Sequence, residues 1–185
     1  MKLLALLRQP GCPVMNPPVI RHYPSSAIIV NGKPFFVPGF GDRWEARPGV
    51  ALRICRLGKS IDSRFASRYY DAVAPVINFV PVDFEHRPEL GGLLTAIDST
   101  VAMGPWQLLP ESGTPWELDG FGTRITLPPS HVNADEAVAV LSRYAMMQMG
   151  DAVMPFTLPL GITAGQDTEV SFSLNGSDPF TVRIK

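Results

Sequence analysis

The chain has 185 residues, 45% hydrophobic and 18% charged, so it can bury one substantial core and is too apolar to be disordered. Its formal net charge is −1, with Lys and Arg scattered along the chain, which excludes the basic footprint of a nucleic-acid binder. The 19 prolines and 16 glycines leave little room for long helices and favour strands joined by tight turns, predicting one mainly β domain with few helices over residues 1–185.

Taken in order, Leu3 to Leu7 is an apolar run of only about five residues, short of the roughly 7 to 15 of a signal-peptide core, and reads as a first strand. Gly11-Cys12 is preceded by Gln9-Pro10 rather than by the small apolar residues of a lipidation site. No run approaches the ~18 apolar residues of a membrane helix, so no membrane partner is expected. Cys12 and Cys55 match neither a zinc site nor a redox Cys-x-x-Cys, and a reducing, cytoplasmic setting fits them best.

Pro10, Pro13, Pro17 and Pro18 break Arg8 to Pro18 into a loop. Val19 to Val30 reads as extended chain, Asn31-Gly32 as a type I′ turn, and Lys33 to Val37 as the returning partner strand. Pro38 to Gly49, with Trp44 and Glu45, reads as a surface loop leading into a strand from Val50 to Leu57. Gly58-Lys59 turns the chain into a short helix, Asp62 to Tyr70, and a β-branched strand follows from Val73 to Val82.

Phe84 to Leu93 is a charged loop whose His86, like His22 and His131, has no visible carboxylate orienter and reads as solvent-exposed. Gln107 to Leu127 gives short extended pieces with a hairpin turn at Asp119-Gly120. Asn133 with Glu136 three residues on suggests a capping box for a helix from Ala134 to Met149, with Ala137, Val140, Leu141, Tyr144 and Ala145 on its buried face and Met146, Met147 and Met149 filling gaps. Thr168 to Leu174 and Pro179 to Ile184, joined at Asn175-Gly176, are expected to close the sheet.

The strand–helix–strand layout from Arg53 to Asp83, followed by Ile97-Asp98, Gly104-Pro105-Trp106 and Gly150-Asp151, resembles the fumarylacetoacetate hydrolase family. The resemblance implies a mixed-strand β-roll or partly closed barrel of α+β class, with Trp106 capping a strand end in the core. It implies a dimer, and an activity that cleaves or isomerises β-diketo or 2-oxo acids around a divalent metal. Aligned on Arg53–Lys59, Arg47-Pro48-Gly49 stands at the family's Glu-x-Glu ligands, and a one- or two-residue slip puts Gly49, Val50, Ala51 or Leu52 there, with no register supplying two carboxylates. Asn78 stands at the family's aspartate ligand, five residues before Asp83. Thr95 occupies the place of a pocket lysine beside Asp98, while Thr157, Pro159 and Gly161 remain of a substrate-contacting threonine-glycine segment. The Arg8–Pro18 loop has neither the histidine nor the glutamate that closes over the family's site.

The candidate pocket is therefore Glu45, Gly49, Asn78, Asp83, Thr95, Asp98 and Thr157. Glu45 reads either as a displaced ligand or as a solvated loop residue, and Asp83 as a remnant or a strand-end turn former. With carboxylates replaced by neutral or basic residues, no Mg²⁺ or Mn²⁺ is expected unless Glu45 rebuilds a relocated site. The expected function is a non-catalytic or ligand-binding homologue taking a small carboxylate or oxo acid. The alternative is a divergent hydrolase, isomerase or decarboxylase, including a metal-free one built on Asp98, Thr157 and Glu45.

Overall fold

A computed structural model describes residues 1–29 and 32–185. In chain order its strands are β1 (Leu3–Leu6), β2 (Ile20–Tyr23), β3 (Ile28–Ile29), β4 (Trp44–Ile54), β5 (Tyr70–Pro81), β6 (Val101–Met103), β7 (Gln107–Leu108), β8 (Trp116–Gly120), β9 (Thr123–Leu127), β10 (Ala152–Met154), β11 (Ile162–Thr163), β12 (Glu169–Leu174) and β13 (Phe180–Arg183). Three single helical turns, α1 (Val82–Glu85), α2 (Leu93–Ala96) and α3 (Pro129–Val132), accompany one longer helix, α4 (Ala134–Tyr144).

The long pair β4 and β5 is the spine of a mixed sheet ordered β2-β1-β10-β4-β5-β6-β3, with β11 added to β4 and β7 to β5. β1 runs parallel to β10 and β3 parallel to β6, while β4 and β5 are antiparallel from Trp44↔Pro81 to Ile54↔Tyr70. Both faces of the spine are covered, which is why β5 is apolar almost throughout instead of alternating. The sheet curls. Asn78 Nδ2 on β5 donates to Tyr23 Oη on β2 at 3.0 Å, yet the two strands are four steps apart in the sheet, about 19 Å if it were flat.

The alternation of side chains gives the two faces different characters. The convex face carries Leu52, Ile54, Val73, Ile77 and Phe79, and packs on Val138 and Leu141 of α4 and on a second, antiparallel sheet ordered β13-β12-β8-β9. The concave face is built from small residues, Ala5, Ala51, Ala74 and Ala152, with Val76 and Met154, and this smallness lets the sheet close on itself.

The mainly β, partly closed roll is as the sequence implies, and several local expectations change. Pro38 to Gly49 is not a loop throughout, because β4 already begins at Trp44, whose side chain is buried. Pro48 is tolerated there because β10 pairs with β4 only at Leu52 and Arg53 and β11 only at Glu45 and Ala46, so the strand's missing donor falls in a gap between neighbours. The Asn31-Gly32 turn lies partly outside the described residues. Lys33 to Val37 forms no strand; Phe35 instead bridges Ile184, with Phe35 N–H donating to Arg183 O at 2.9 Å.

The short helix is a 3₁₀ segment, Ser63–Arg68, capped by Asp62, which accepts from Arg64 N–H. The main helix ends at Tyr144 rather than Met149, because Met147 forms a two-bond bridge with Gly58 that extended backbone alone can make. Its buried face is Ala137, Val138, Ala139, Leu141 and Ser142, whereas Tyr144 is exposed; Met147 is core, while Met146 and Met149 are exposed. Asn133 does not cap it: its backbone is left-handed and its amide donates to Glu136 at 2.8 Å. The hairpin turn is Phe121-Gly122, just past Asp119-Gly120. Asn175-Gly176 does turn β12 into β13, both residues at positive φ, but these strands belong to the second sheet rather than closing the first. Trp106 is half-buried under the Arg53 guanidinium instead of sealed in the core.

Candidate functional site

The gap that accommodates Pro48 also opens a cavity of about 300 Å³ on the concave side, with Arg47, Pro48 and Asn78 as its floor. Arg47 and Asn78 are direct partners in the β4–β5 register, so their side chains leave the same face side by side. Arg21 on β2 and Glu85 on α1 enter from one rim, and Met154 and Thr157 from the other.

These charges form a continuous chain of ion pairs. Glu85 accepts from Arg47 Nη2 at 2.8 Å through one oxygen and from Arg21 Nη2 at 2.9 Å through the other. Glu45 accepts from Arg47 Nε and Nη2 at 3.2 and 3.0 Å and pairs with Arg43 at 3.0 Å. Burial by itself would lower the Arg47 pKa, but the hydrogen bonds and charges of Glu85 and Glu45 outweigh it and hold the guanidinium above its ordinary value. Burial likewise pushes the Glu85 carboxyl up, and the bonds from Arg47 and Arg21 bring it below the usual carboxylate range. Every carboxylate oxygen of Glu45 and Glu85 is thus engaged by a guanidinium.

Asn78 is 8% exposed. Its amide donates to Tyr23, and its Oδ1 is the one buried side-chain N or O among the described residues that has no hydrogen-bond partner. Two glycines shape the surroundings by what they lack. A Cβ on Gly49 would meet Met154 Cε at 2.6 Å, so the methionine fills the space where a side chain at 49 would stand. A Cβ on Gly161 would meet Glu45 Oε2 at 2.9 Å, so a side chain there would push the Glu45 carboxylate aside from Arg47.

Of the residues singled out from sequence, Asn78 and Thr157 line the cavity, and Glu45 and Gly49 lie immediately beside it on β4. Thr157 is tethered, its hydroxyl donating to Arg8 O at 3.3 Å. Asp83 stands in α1 and accepts from Asp42 N–H at 3.2 Å, a turn-stabilising position. Thr95 donates to Gly92 O inside α2, and Asp98 is exposed beyond it; neither lines the cavity. His22, His86 and His131 are all exposed. Arg21, Glu85 and Arg8 carry no sequence signal: Arg21 and Glu85 are 64 residues apart and meet only through the curl. Arg8, 7% exposed, donates to the carbonyls of Pro155 and Val132 and pairs with Glu136, clamping the cavity wall to the start of α4.

Solved structures share this architecture. A 5-carboxymethyl-2-hydroxymuconate delta-isomerase from Mycobacterium smegmatis superposes with TM-score 0.84 at 19% identity, over 99% of this chain and 78% of that one. A fumarylacetoacetate hydrolase family protein from Yersinia pestis superposes with TM-score 0.82 at 15% identity, over 100% of this chain and 92% of that one. The fold is that of the fumarylacetoacetate hydrolase family. A fumarylpyruvate hydrolase from Pseudomonas aeruginosa, solved with Mn²⁺ and pyruvate, has the same fold, with TM-score 0.82 at 15% identity over 100% of this chain and 89% of that one. No protein-family model matches the sequence, and no curated protein matches it. What the family fold has kept here is its backbone, because at these identities the agreement is one of fold.

Proposed function

We propose that this chain is a divergent fumarylacetoacetate hydrolase family protein whose pocket binds a small carboxylate through arginine rather than through a metal, and which does not cleave a carbon–carbon bond. The observation that carries the reading is Arg47 in register with Asn78, its guanidinium shared by Glu45 and Glu85. A hard divalent cation needs anionic oxygens in near-octahedral array. Here both nearby acids already accept from guanidiniums, Asn78 offers one neutral oxygen, and no group of three or more His, Cys, Asp or Glu among the described residues is placed to hold an ion. The donor set does not fit Mg²⁺ or Mn²⁺. Without a Lewis acid to polarise an oxo group, and with Asp98 and Thr95 outside the cavity, the residues present bind and orient an anion but lack a placed acid–base pair.

A second reading, a hydrolase, isomerase or decarboxylase of oxo acids, is favoured by the shared fold with proteins so named. Calorimetric titration with pyruvate separates the two. The proposal expects the same affinity in excess EDTA and in millimolar Mn²⁺, and a metal requirement would return the enzymatic reading.

No helix among the described residues is long and apolar enough to cross a membrane, and both cysteines are free, which supports a cytoplasmic setting. Exposed Leu57 and Met149 flank the Gly58–Met147 bridge, and apolar surface of this kind supports a homodimer. Light scattering should give about twice the 20.2 kDa chain mass, and a monomer at micromolar concentration would contradict it.

A further inference from the structure

The unpartnered Asn78 oxygen has a consequence for which carboxylate the pocket takes. Its amide nitrogen donates to Tyr23 Oη at 3.0 Å, which leaves Oδ1 of this cavity-lining residue buried and without a donor. A buried acceptor in this state is matched by a ligand that brings an O–H or N–H to it. Beside it, Arg47 uses Nε and Nη2 on Glu45 and Glu85, leaving Nη1 with no acceptor among the described residues, and Arg21 uses only Nη2. A cationic donor, Arg47, and a neutral acceptor, Asn78, thus lie side by side at one register step, with Arg21 also lining the cavity.

Resting on the reading of this cavity as a metal-free carboxylate pocket, we infer that its preferred ligand is a small 2-hydroxy carboxylate, whose carboxylate meets Arg47 and Arg21 and whose hydroxyl donates to Asn78 Oδ1. A 2-oxo acid in its keto form offers acceptors alone. It can satisfy the arginines but leaves Oδ1 facing another oxygen, and sites built around a polar partner discriminate most strongly against analogues that lack its complement. The cavity, about 300 Å³, admits acids of three or four carbons, and Met154 over Gly49 limits extension toward the centre of the concave face.

The test is calorimetric titration of the intact protein, in EDTA, with glycolate, both lactate enantiomers and pyruvate. The hydroxy acids should bind at least about tenfold more tightly than pyruvate, the equivalent of one added hydrogen bond. In Asn78→Val the hydroxy acids should fall to the pyruvate level while pyruvate itself changes little; circular dichroism checks the fold of the variant, and the wild-type comparison stands without it. Equal binding of both classes would overturn the hydroxyl inference while leaving the carboxylate pocket intact. Tighter binding of pyruvate would also overturn it, because Asn78 would then be presenting its N–H. Binding of none of the four would overturn both readings.

Discussion

The two faces of the curled sheet have the same strands behind them and obey opposite rules. On the convex face Leu52, Ile77 and Phe79 meet α4 and the second sheet in a continuous apolar core, with Phe79 stacked on Phe35 at 3.9 Å between ring centroids. On the concave face the same two strands place Arg47 and Asn78 next to each other beside small, buried apolar residues, so half-buried charge borders a closely packed surface. The difference teaches that fold and cavity sit on different faces: the convex face holds the apolar core, and the concave face carries the charged cavity.

The strongest way to break that division is to substitute on each face and compare. Phe79→Ala should cost about 3–5 kcal/mol in urea unfolding, through lost transfer energy and a cavity against Phe35. Asn78→Val should change stability by less than about 1 kcal/mol, since losing the Tyr23 bond is offset by removing an orphaned acceptor. Comparable losses at both positions would mean that the pocket is part of the scaffold.

Between these extremes lies Asp151, the anchor of the N-terminal strand. It is 2% exposed and accepts from Lys2 N–H at 3.0 Å and Gln148 N–H at 2.9 Å, and it also pairs with the Lys2 ammonium. Burial alone would raise its pKa, but the Lys2 and Gln148 contacts outweigh burial and hold it below its ordinary value. The folded state therefore binds this proton less readily than the unfolded one. The stabilisation is complete above about pH 4 and is lost as pH falls through the lowered folded value. Asp151→Asn should cost about 2–3 kcal/mol at neutral pH and flatten the acid limb of a melting-temperature profile.

Arg47→Gln sharpens the comparison from the functional side. Loss of the guanidinium between Glu45 and Glu85 should cost about 1–2 kcal/mol, discounted because these side chains are about a fifth to a quarter exposed, and should weaken carboxylate binding by at least about tenfold. Urea unfolding and calorimetry on the same preparation measure both.

The spine of the fold was legible because a strand buried on both faces leaves a largely apolar, β-branched run, as in β5, and the β12–β13 turn was legible because Asn175-Gly176 has the backbone freedom it requires. Element ends were not, since they are set by distant partners. Gly58 ends the main helix early by pairing with Met147, and the gap between β10 and β11 lets Pro48 sit inside a strand. The site was half legible. Asn78 and Arg47 stand out as residues of the wrong charge for a metal, but Arg21 and Glu85 reach them only through the curl, and no local pattern encodes a contact 64 residues long. Thr95 and Asp98 were placed in the pocket by resemblance and lie in a surface turn outside it.

The proposed binding of a carboxylate by arginine without a metal ion is tested most directly by electron paramagnetic resonance of Mn²⁺ titrated against the protein. The free-ion signal should keep its full amplitude to millimolar concentration, because the guanidinium repels the cation and Glu45 and Glu85 are already neutralised. Stoichiometric loss of that signal, one Mn²⁺ per chain and reversed by Asn78→Ala, would contradict it.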